Sequence, residues 1–275
     1  RGAGRGKGRS DFLASLIREI ESFLLKMKMK AKLVFWIGLA VLAAIVIYHL
    51  NWDLVRALEF STVWEYREVM VWALGMSLMI ALIATAIGLV VGTLLAIVSQ
   101  SSLPILRWIV VIYVEIFRNT PILVMLIWVH FALPILTGFT TTALQSGLIA
   151  MALQSSAYFS EIVRAGVGAV PRGQWEAALA LGLPLRPRWT EIVLPQALRI
   201  IIPPLANLAI SLFKATSILS ILSISELMTV STRISNFTFK PIEVLTVAAC
   251  MYFIVGYLMS RGTLRLERHL REGER

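Results

Sequence analysis

The sequence predicts an all-α integral membrane protein with about six transmembrane helices. Of its 275 residues, 58% are hydrophobic and only 15% are charged, and the mean hydropathy is +0.79. Soluble domains contain about 45–50% apolar and about 25% charged residues, so much of this chain needs lipid as its solvent. Its apolar stretches are continuous, which favours helices over the alternating strands of a membrane barrel. A single cysteine, Cys250, excludes a disulfide scaffold.

The basic residues are concentrated between the apolar runs. Of 26 lysines and arginines, nine lie in residues 1–32, five in 164–199 and five in 261–275. This distribution predicts that all three segments face the cytoplasm. A nucleic-acid-binding surface requires a basic folded domain, and no segment is left to form one. We therefore predict a lipid-embedded chain with no nucleic-acid partner and with both termini in the cytoplasm.

The N-terminal part is predicted to place one helix ahead of the other spans. Residues 1–32 form a basic cytoplasmic leader whose lysines meet the anionic inner leaflet. Residues 33–50 carry no formal charge and are long enough to cross the bilayer. They exceed the apolar core of a signal peptide, which has about 7–15 residues. Residues 51–70 carry a net charge of −2 and are expected to form an extracytoplasmic loop.

Residues 71–261 are predicted to hold five further spans. Their expected positions are 71–98, 103–136, 142–165, 191–222 and 242–260. Ala84, Gly88 and Gly92 recur at every fourth residue, a pattern that lets helices pack closely. Pro121 disfavours helical geometry in the residue before it, so the second of these spans is expected to consist of two helical pieces meeting near Thr120.

Two polar segments separate the later spans. Residues 166–190 are expected to be a cytoplasmic loop, and residues 223–241 an extracytoplasmic one. In the outer loop, Glu226 and Arg233 either touch a binding protein or are simply solvated. Residues 262–275 form a basic cytoplasmic tail.

The cytoplasmic loop is expected to contain a short helix followed by a turn. Glu176, Ala177 and Ala178 favour a helix, and Gly182 suits a helix-ending position with positive φ. Glu176 is expected in the first turn, where its charge complements the helix dipole. Three apolar side chains should face water, namely Trp175, Leu179 and Leu181. They either pack on their own subunit or dock a separate cytoplasmic protein.

Residues 173–195 read GQWEAALALGLPLRPRWTEIVLP. The tripeptide at 176–178, Gly182 and the I-x-L-P at 192–195 are similar to the EAA loop of ABC-importer permeases. Residues 117–121 (FRNTP) resemble the F-R-G-T-P of the polar-amino-acid branch, with Asn119 where glycine is usual. Residues 157–166 (AYFSEIVRAG), LPQALR at 194–199, Asn207 and K-x-T-S at 214–217 also resemble this branch.

The resemblance covers roughly residues 70–268 and implies a permease subunit of an ATP-driven importer for polar or charged amino acids. It implies the five-helix type I permease core, to which residues 33–50 add one helix. The chain would form half of the translocation pathway in a bacterial inner membrane. Implied partners are a second permease subunit, two cytoplasmic ATPase subunits and an extracytoplasmic amino-acid-binding protein. ATP and Mg²⁺ would be held by the ATPases, because this chain lacks the G-x-x-x-x-G-K-[ST] phosphate-binding motif.

Candidate site residues fall into three groups. Those expected to couple to the ATPase are Gly173, Gln174, Trp175, Glu176, Ala177, Ala178 and Gly182. Those that either line the substrate pathway or have structural roles are Asn119, Thr120, Asn207, Lys214, Thr216 and Ser217. Glu161 and Arg164, three residues apart, are expected to form an internal ion pair. Lys214 alternatively reaches an interface or pairs with Glu161. Arg118 at the helix break either contributes to substrate binding or has a structural role, in which it snorkels or pairs with Glu115; we favour the structural role.

The sequence contains no recognisable catalytic set, and its three histidines are too far apart to suggest a metal site. Two other functions are open. An ion-coupled secondary transporter would need coupling carboxylates and inverted repeats. A non-transporting membrane scaffold would use the loop only to recruit a partner.

Overall fold

The computed structural model describes residues 34–272, with side chains for residues 34–270. The leader at 1–32 therefore lies outside the described residues. Every regular element in the described part is helical. The chain divides into two compact units, Arg1–Leu58 and Glu59–Arg275. The second unit matches the all-α membrane fold that the sequence predicts.

In the first unit, α1 (Val34–His49) exposes its apolar side chains along its whole length. A short α2 (Trp52–Arg56) follows and is capped by Asn51, whose side chain accepts a hydrogen bond from the amide of Leu54 at 3.1 Å. The Trp52 indole donates to the carbonyl of Ile47 at 3.2 Å. These local bonds satisfy backbone groups where the chain turns after α1.

The second unit begins with α3 (Ser61–Glu65) and contains four long helices. The long helices are α4 (Arg67–Val98), α8 (Ala143–Gly168), α11 (Leu194–Ala215) and α13 (Pro241–Glu272). The shorter helices are α5 (Pro104–Asn119), α6 (Ile122–Ile127), α7 (Leu133–Thr137), α9 (Arg172–Ala180), α10 (Leu185–Pro187) and α12 (Leu227–Thr238). Two π-helical segments, Trp128–Ala132 and Arg188–Val193, connect helices without a break, and the 3₁₀ segment Thr216–Leu222 continues α11 and ends before the non-helical residues 223–226.

The helix break near Thr120 is confirmed. Thr120 has an extended backbone (φ −88°, ψ 128°), and the segments Pro104–Asn119 and Ile122–Thr137 meet at 106°. Pro121 lacks an N–H group and disfavours helix in the preceding residue, so α5 ends there. The result is an amphipathic α5 that lies across the direction of the following helix.

By length and composition, three described helices can cross a membrane, and five can if each of two bent pairs is one span. The predicted span at 142–165 corresponds to α8, which falls outside this count because it is rich in serine, glycine and glutamine. Helix α8 contacts α4, α5, α6 and α11 and buries ten of its residues. Neighbouring helices therefore shield its polar groups from lipid.

Helices α4 and α8 pack closely through small residues. Ala84, Gly88 and Gly92 are all buried on α4, and Ser155 donates to the carbonyl of Ala84 at 3.1 Å. A Cβ on Gly92 would lie 2.6 Å from the Cβ of Phe159. The predicted packing role of this small-residue face is confirmed. Since 84 meets 155 and 92 meets 159, the two helices run in the same direction.

We expect Gly92→Val to destabilise the fold, because added methyl groups would overlap Phe159 and the carbonyl of Ser156. Overpacking a close interface costs about 1–3 kcal/mol. Thermal unfolding of the protein in detergent measures the change. Gly75→Val is the matched control, since Gly75 lies on the same helix and an added Cβ meets no atom within 4 Å. Equal unfolding temperatures for the two variants would contradict this packing account.

The segment predicted to be a polar outer loop is instead packed into the fold. Helix α12 contacts α4 and α13, and Glu226 is fully buried at its N-terminus. Its carboxylate accepts bonds from the Thr229 amide at 2.7 Å, the Tyr252 hydroxyl at 2.7 Å and the Ser77 hydroxyl at 3.4 Å. The expectation that Glu226 is solvated or touches a binding protein is wrong, because the carboxylate caps a buried helix end.

We expect Glu226→Ala to destabilise the protein strongly. The loss of a helix cap costs about 0.5–2 kcal/mol, and each buried donor left without a partner adds about 1–3 kcal/mol. Thermal unfolding in detergent measures the effect. Glu226→Gln keeps one acceptor oxygen, so its unfolding temperature should lie between those of the wild type and Glu226→Ala. Glu191→Ala removes an exposed carboxylate and should leave the unfolding temperature unchanged; a drop as large as that of Glu226→Ala would contradict the capping role.

Candidate functional site

The loop helix α9 and the turn after it form one candidate site. The helix spans Arg172–Ala180 and ends at Gly182, which has φ +66° as expected. The amide of Leu183 donates to the carbonyl of Ala178 at 3.1 Å, and that of Gly182 donates to Leu179 at 2.9 Å. This pair of bonds is the Schellman arrangement, which requires a left-handed residue. Gly182 supplies it without steric cost.

One face of α9 is anchored to the chain. Ala178 is buried, and the ring of Trp175 packs edge-on against Trp189 with centroids 5.1 Å apart. Both rings border a small core formed by Val170, Val193, Ala197 and Ile201. Trp175 is half-buried, because Trp189 from the next helical segment covers part of its ring, so this side chain packs on its own subunit.

The other face of α9 and its turn are open. Leu179 is 61% exposed and Leu181 is 76% exposed, as expected. The coupling candidates Gly173, Gln174, Glu176 and Ala177 are exposed as well. Glu176 lies one turn later than expected, because α9 already begins at Arg172, and so it does not complement the helix dipole. The open face is a rigid, partly apolar surface next to a fixed turn.

A second candidate site is the exposed polar face of α11, which we call the polar stripe and define as Asn207, Ser211 and Lys214. All three are exposed and lie at the i, i+4, i+7 spacing of one helix face. They belong to the candidate span Leu185–Leu222. Among residues 34–270, no side chain pairs with Lys214 or with the Asn207 amide. Sequence reasoning missed Ser211, although its helical spacing from the other two identifies it.

A lysine at the centre of a lone membrane helix costs about 2.5–3.5 kcal/mol. Polar residues within spans therefore face a cavity or a partner. The polar stripe lies on the exposed surface of this chain. In the membrane, it therefore has to face either a partner or a water-filled path. Pairing of Lys214 with Glu161 does not occur here, because Glu161 lies 3.9 Å from Arg118 and accepts from Arg164 Nε at 3.0 Å.

Thr216 and Ser217 follow the polar stripe, and their hydroxyls, like that of Ser211, donate to backbone carbonyls of nearby residues. Thr216 is fully buried and donates to the carbonyl of Phe213 at 2.7 Å. The hydroxyl of Ser217 donates to the carbonyl of Lys214 at 2.9 Å. Their hydroxyl protons are thus used within the helix.

At the helix break, the polar groups are also used internally. Asn119 donates to the carbonyl and the carboxylate of Glu115, both at 2.8 Å. The carbonyl of Thr120 accepts from the Gln154 amide at 3.1 Å. Arg118 pairs with Glu115 at 3.0 Å, as expected. The break therefore satisfies its own freed backbone and side-chain groups.

Glu161 and Arg164 form the expected contact on α8, and Arg118 joins them from α5. This cluster links α5 to the part of α8 that leads into α9. Among the described residues, no group of three or more His, Cys, Asp or Glu side chains could hold a metal ion.

Comparison with known proteins identifies the family to which this architecture belongs. Residues 88–272 match the family described as binding-protein-dependent transport system inner membrane component. The chain is 31% identical to the arginine transport system permease protein ArtQ of Bacillus subtilis, over 79% of this chain and 99% of that protein. It is 40% identical to a putative glutamine transport system permease protein GlnP of Rickettsia bellii, over 66% of this chain and 83% of that protein.

Solved structures agree with these relatives. A chain from the crystal structure of an amino acid ABC transporter with histidines superposes with a TM-score of 0.74 at 30% identity. The superposition covers 78% of this chain and 99% of that one. A chain of the MetNI methionine ABC transporter in an inward-facing form has a TM-score of 0.60 at 21% identity, which shows a shared fold.

Proposed function

Because the chain belongs to the inner membrane components of binding-protein-dependent transport systems, and is an amino-acid ABC transporter permease of the type I fold, we propose that it imports polar or charged amino acids. In this proposal it forms half of a translocation pathway with a second permease subunit. An extracytoplasmic binding protein delivers the substrate. Two cytoplasmic ATPase subunits hold ATP and Mg²⁺ and supply the energy.

The observation that carries the substrate part is the polar stripe. Lys214 and the amide of Asn207 lie on the exterior of a membrane helix without partners among residues 34–270. A path between two permease subunits would cover them, and their charge and amide groups suit the carboxylate of an amino acid. Ser217 lies just beyond this path, whereas Thr216, Asn119 and Thr120 support the helices. The relatives ArtQ and GlnP are named for the transport of arginine and glutamine, which are both polar.

The observation that carries the coupling part is the open face of α9. Leu179 and Leu181 are exposed beside a turn that Gly182 fixes, while Trp175 and Ala178 anchor the helix to its own subunit. A helix anchored in this way transmits a push on its outer face to α8 and α11. We place the ATPase on this face, with the ion pair of Glu161 and Arg164 supporting the loop.

Co-expression with an ATPase subunit and a binding protein tests the proposal. We expect a purified complex that contains all the subunits and whose ATP hydrolysis rises when the binding protein carries a polar amino acid. A secondary transporter would instead move amino acids with an ion gradient and without an ATPase. A scaffold would bind the partner without any substrate-dependent hydrolysis, and either result would overturn the proposal.

We further propose that both termini are cytoplasmic in a bacterial inner membrane, with 1–32 and 262–275 inside and 51–70 outside. In a variant lacking Cys250, a cysteine at Arg265 should resist a membrane-impermeant thiol reagent in intact cells and react after permeabilisation. Arg265 is exposed and so is accessible to the reagent, whereas the nearby Thr263 is buried and would be a poor labelling position. Labelling of Arg265→Cys in intact cells would show that the C-terminal tail is extracytoplasmic and would contradict this topology. A cysteine at Glu68, which is 85% exposed, is the positive control for outside access.

A further inference from the structure

A cavity of about 910 Å³ lies between the end of α4, helix α5, the end of α8 and the start of α9. On the proposed topology, this is the cytoplasmic side of the membrane. Its charged lining consists of Arg107, Glu115 and Arg118 from α5, Glu161 and Arg164 from α8, and Arg172 from α9. Four guanidinium groups thus share one cavity with two carboxylates.

The carboxylates compensate only two of these arginines. Glu115 pairs with Arg118, and Glu161 contacts Arg118 and Arg164. Among the described side chains, no carboxylate lies within 4.0 Å of Arg107 or Arg172. The cavity therefore has an excess of positive charge contributed by two different helices. The planar guanidinium group can donate two parallel hydrogen bonds to two oxygens of one phosphate, which no other side chain can do as well.

An apolar groove of about 270 Å³ adjoins the cavity. Pro104, Trp108 and Val111 line it together with Arg107, and the cavity is also lined by Arg107 and Val111. Trp108 is 67% exposed. The segments Pro104–Asn119 and Ile122–Thr137 are bent by 106° from one another. If Ile122–Thr137 crosses the bilayer, this bend lays the apolar face of α5 along the membrane surface, as in amphipathic interfacial helices. Tryptophan is enriched at that depth of the bilayer.

We propose that this cavity binds the phosphate group of an anionic phospholipid from the inner leaflet. Arg107 and Arg172 hold the phosphate, and the groove beside Trp108 takes the first part of an acyl chain. The juxtaposition of uncompensated arginines with an apolar groove on an interfacial helix is what distinguishes a lipid from a soluble anion. The assignment to the inner leaflet rests on the proposed topology.

Native mass spectrometry of the assembled transporter, released from nanodiscs that contain phosphatidylglycerol, tests the site. We expect wild-type protein to retain phosphatidylglycerol and Arg107→Gln/Arg172→Gln to retain at least tenfold less, since the loss of even one charge-assisted hydrogen bond weakens binding by about tenfold or more. Arg265→Gln/Arg268→Gln removes the same charge from exposed tail positions and should retain lipid like the wild type. Equal retention by all three proteins would overturn the proposal.

A second arm separates the two sources of phosphate. The same proteins are placed in phosphatidylcholine nanodiscs with added inorganic phosphate or glycerol phosphate. No retained adduct supports a lipid ligand, whereas an adduct that depends on Arg107 and Arg172 would overturn the lipid assignment in favour of a soluble anion. This readout needs neither ATP nor amino acid. Lipid retention without transport would therefore count against the proposed function alone, and outside labelling of Arg265→Cys against the inner leaflet alone.

Discussion

Gly182→Val should leave the protein in the membrane but detach or uncouple the ATPase. At φ +66°, a non-glycine residue is strained by about 1–2 kcal/mol, and a β-branched side chain is the least tolerated. The variant can relieve this strain only by giving up the turn that ends α9, which would move the exposed Leu179 and Leu181. The measurements are co-purification of the ATPase and amino-acid-stimulated ATP hydrolysis, and we expect both to fall severely.

Two controls separate the turn from a general loss of stability. Gly182→Asn keeps a residue that tolerates the left-handed region, so it should retain most of the coupling. Gly262→Val adds the same side chain on α13, where φ is not positive and an added Cβ meets no atom within 4 Å. If Gly182→Val retains wild-type co-purification and hydrolysis, α9 is not where the energy of ATP enters.

Lys214→Ala should reduce amino-acid transport by about 10–100-fold, while assembly with the other subunits is kept. The estimate assumes loss of one charged hydrogen bond of about 1.5–3 kcal/mol to the passing substrate. Because Lys214 has no partner among residues 34–270, its removal should not disturb packing within the subunit. Uptake into proteoliposomes and the unfolding temperature are measured on the same preparation.

Matched variants sharpen this result. Lys214→Arg keeps the charge and should retain part of the transport, and Ser211→Ala removes only a neutral hydroxyl and should have a smaller effect. Lys240→Ala removes a lysine that is not part of the polar stripe and that pairs with Glu59 and hydrogen-bonds Thr62 at 2.8 Å, and it should leave transport near the wild-type level. Wild-type uptake by a fully assembled Lys214→Ala complex would show that the polar stripe is an interface and not a pathway.

The sequence predicts features that depend on local chemistry. The break at Pro121, the left-handed Gly182 and the small-residue face of α4 each follow from the steric properties of one residue type. The contact between Glu161 and Arg164 follows from helical spacing alone. The break, the left-handed turn and the ion pair need no distant part of the chain to form, and the small-residue face needs only a helix that packs on it.

Features that depend on distant partners could not be predicted in the same way. Glu226 looked solvated because it lies in a polar segment, but Ser77 and Tyr252 approach it from α4 and α13. Trp175 is covered by Trp189, which is fourteen positions away along the chain. In each case, tertiary packing overrides a local hydropathy argument.

The most direct test of the central claim is uptake of arginine and of glutamine into proteoliposomes that contain this chain with its ATPase partner. The binding protein is supplied on the side of residues 51–70 and ATP on the opposite side. We expect uptake that requires both ATP and the binding protein and is abolished when the ATPase subunit is left out. Uptake of equal rate without the ATPase, driven by an ion gradient, would contradict the assignment of this chain as an ABC permease subunit.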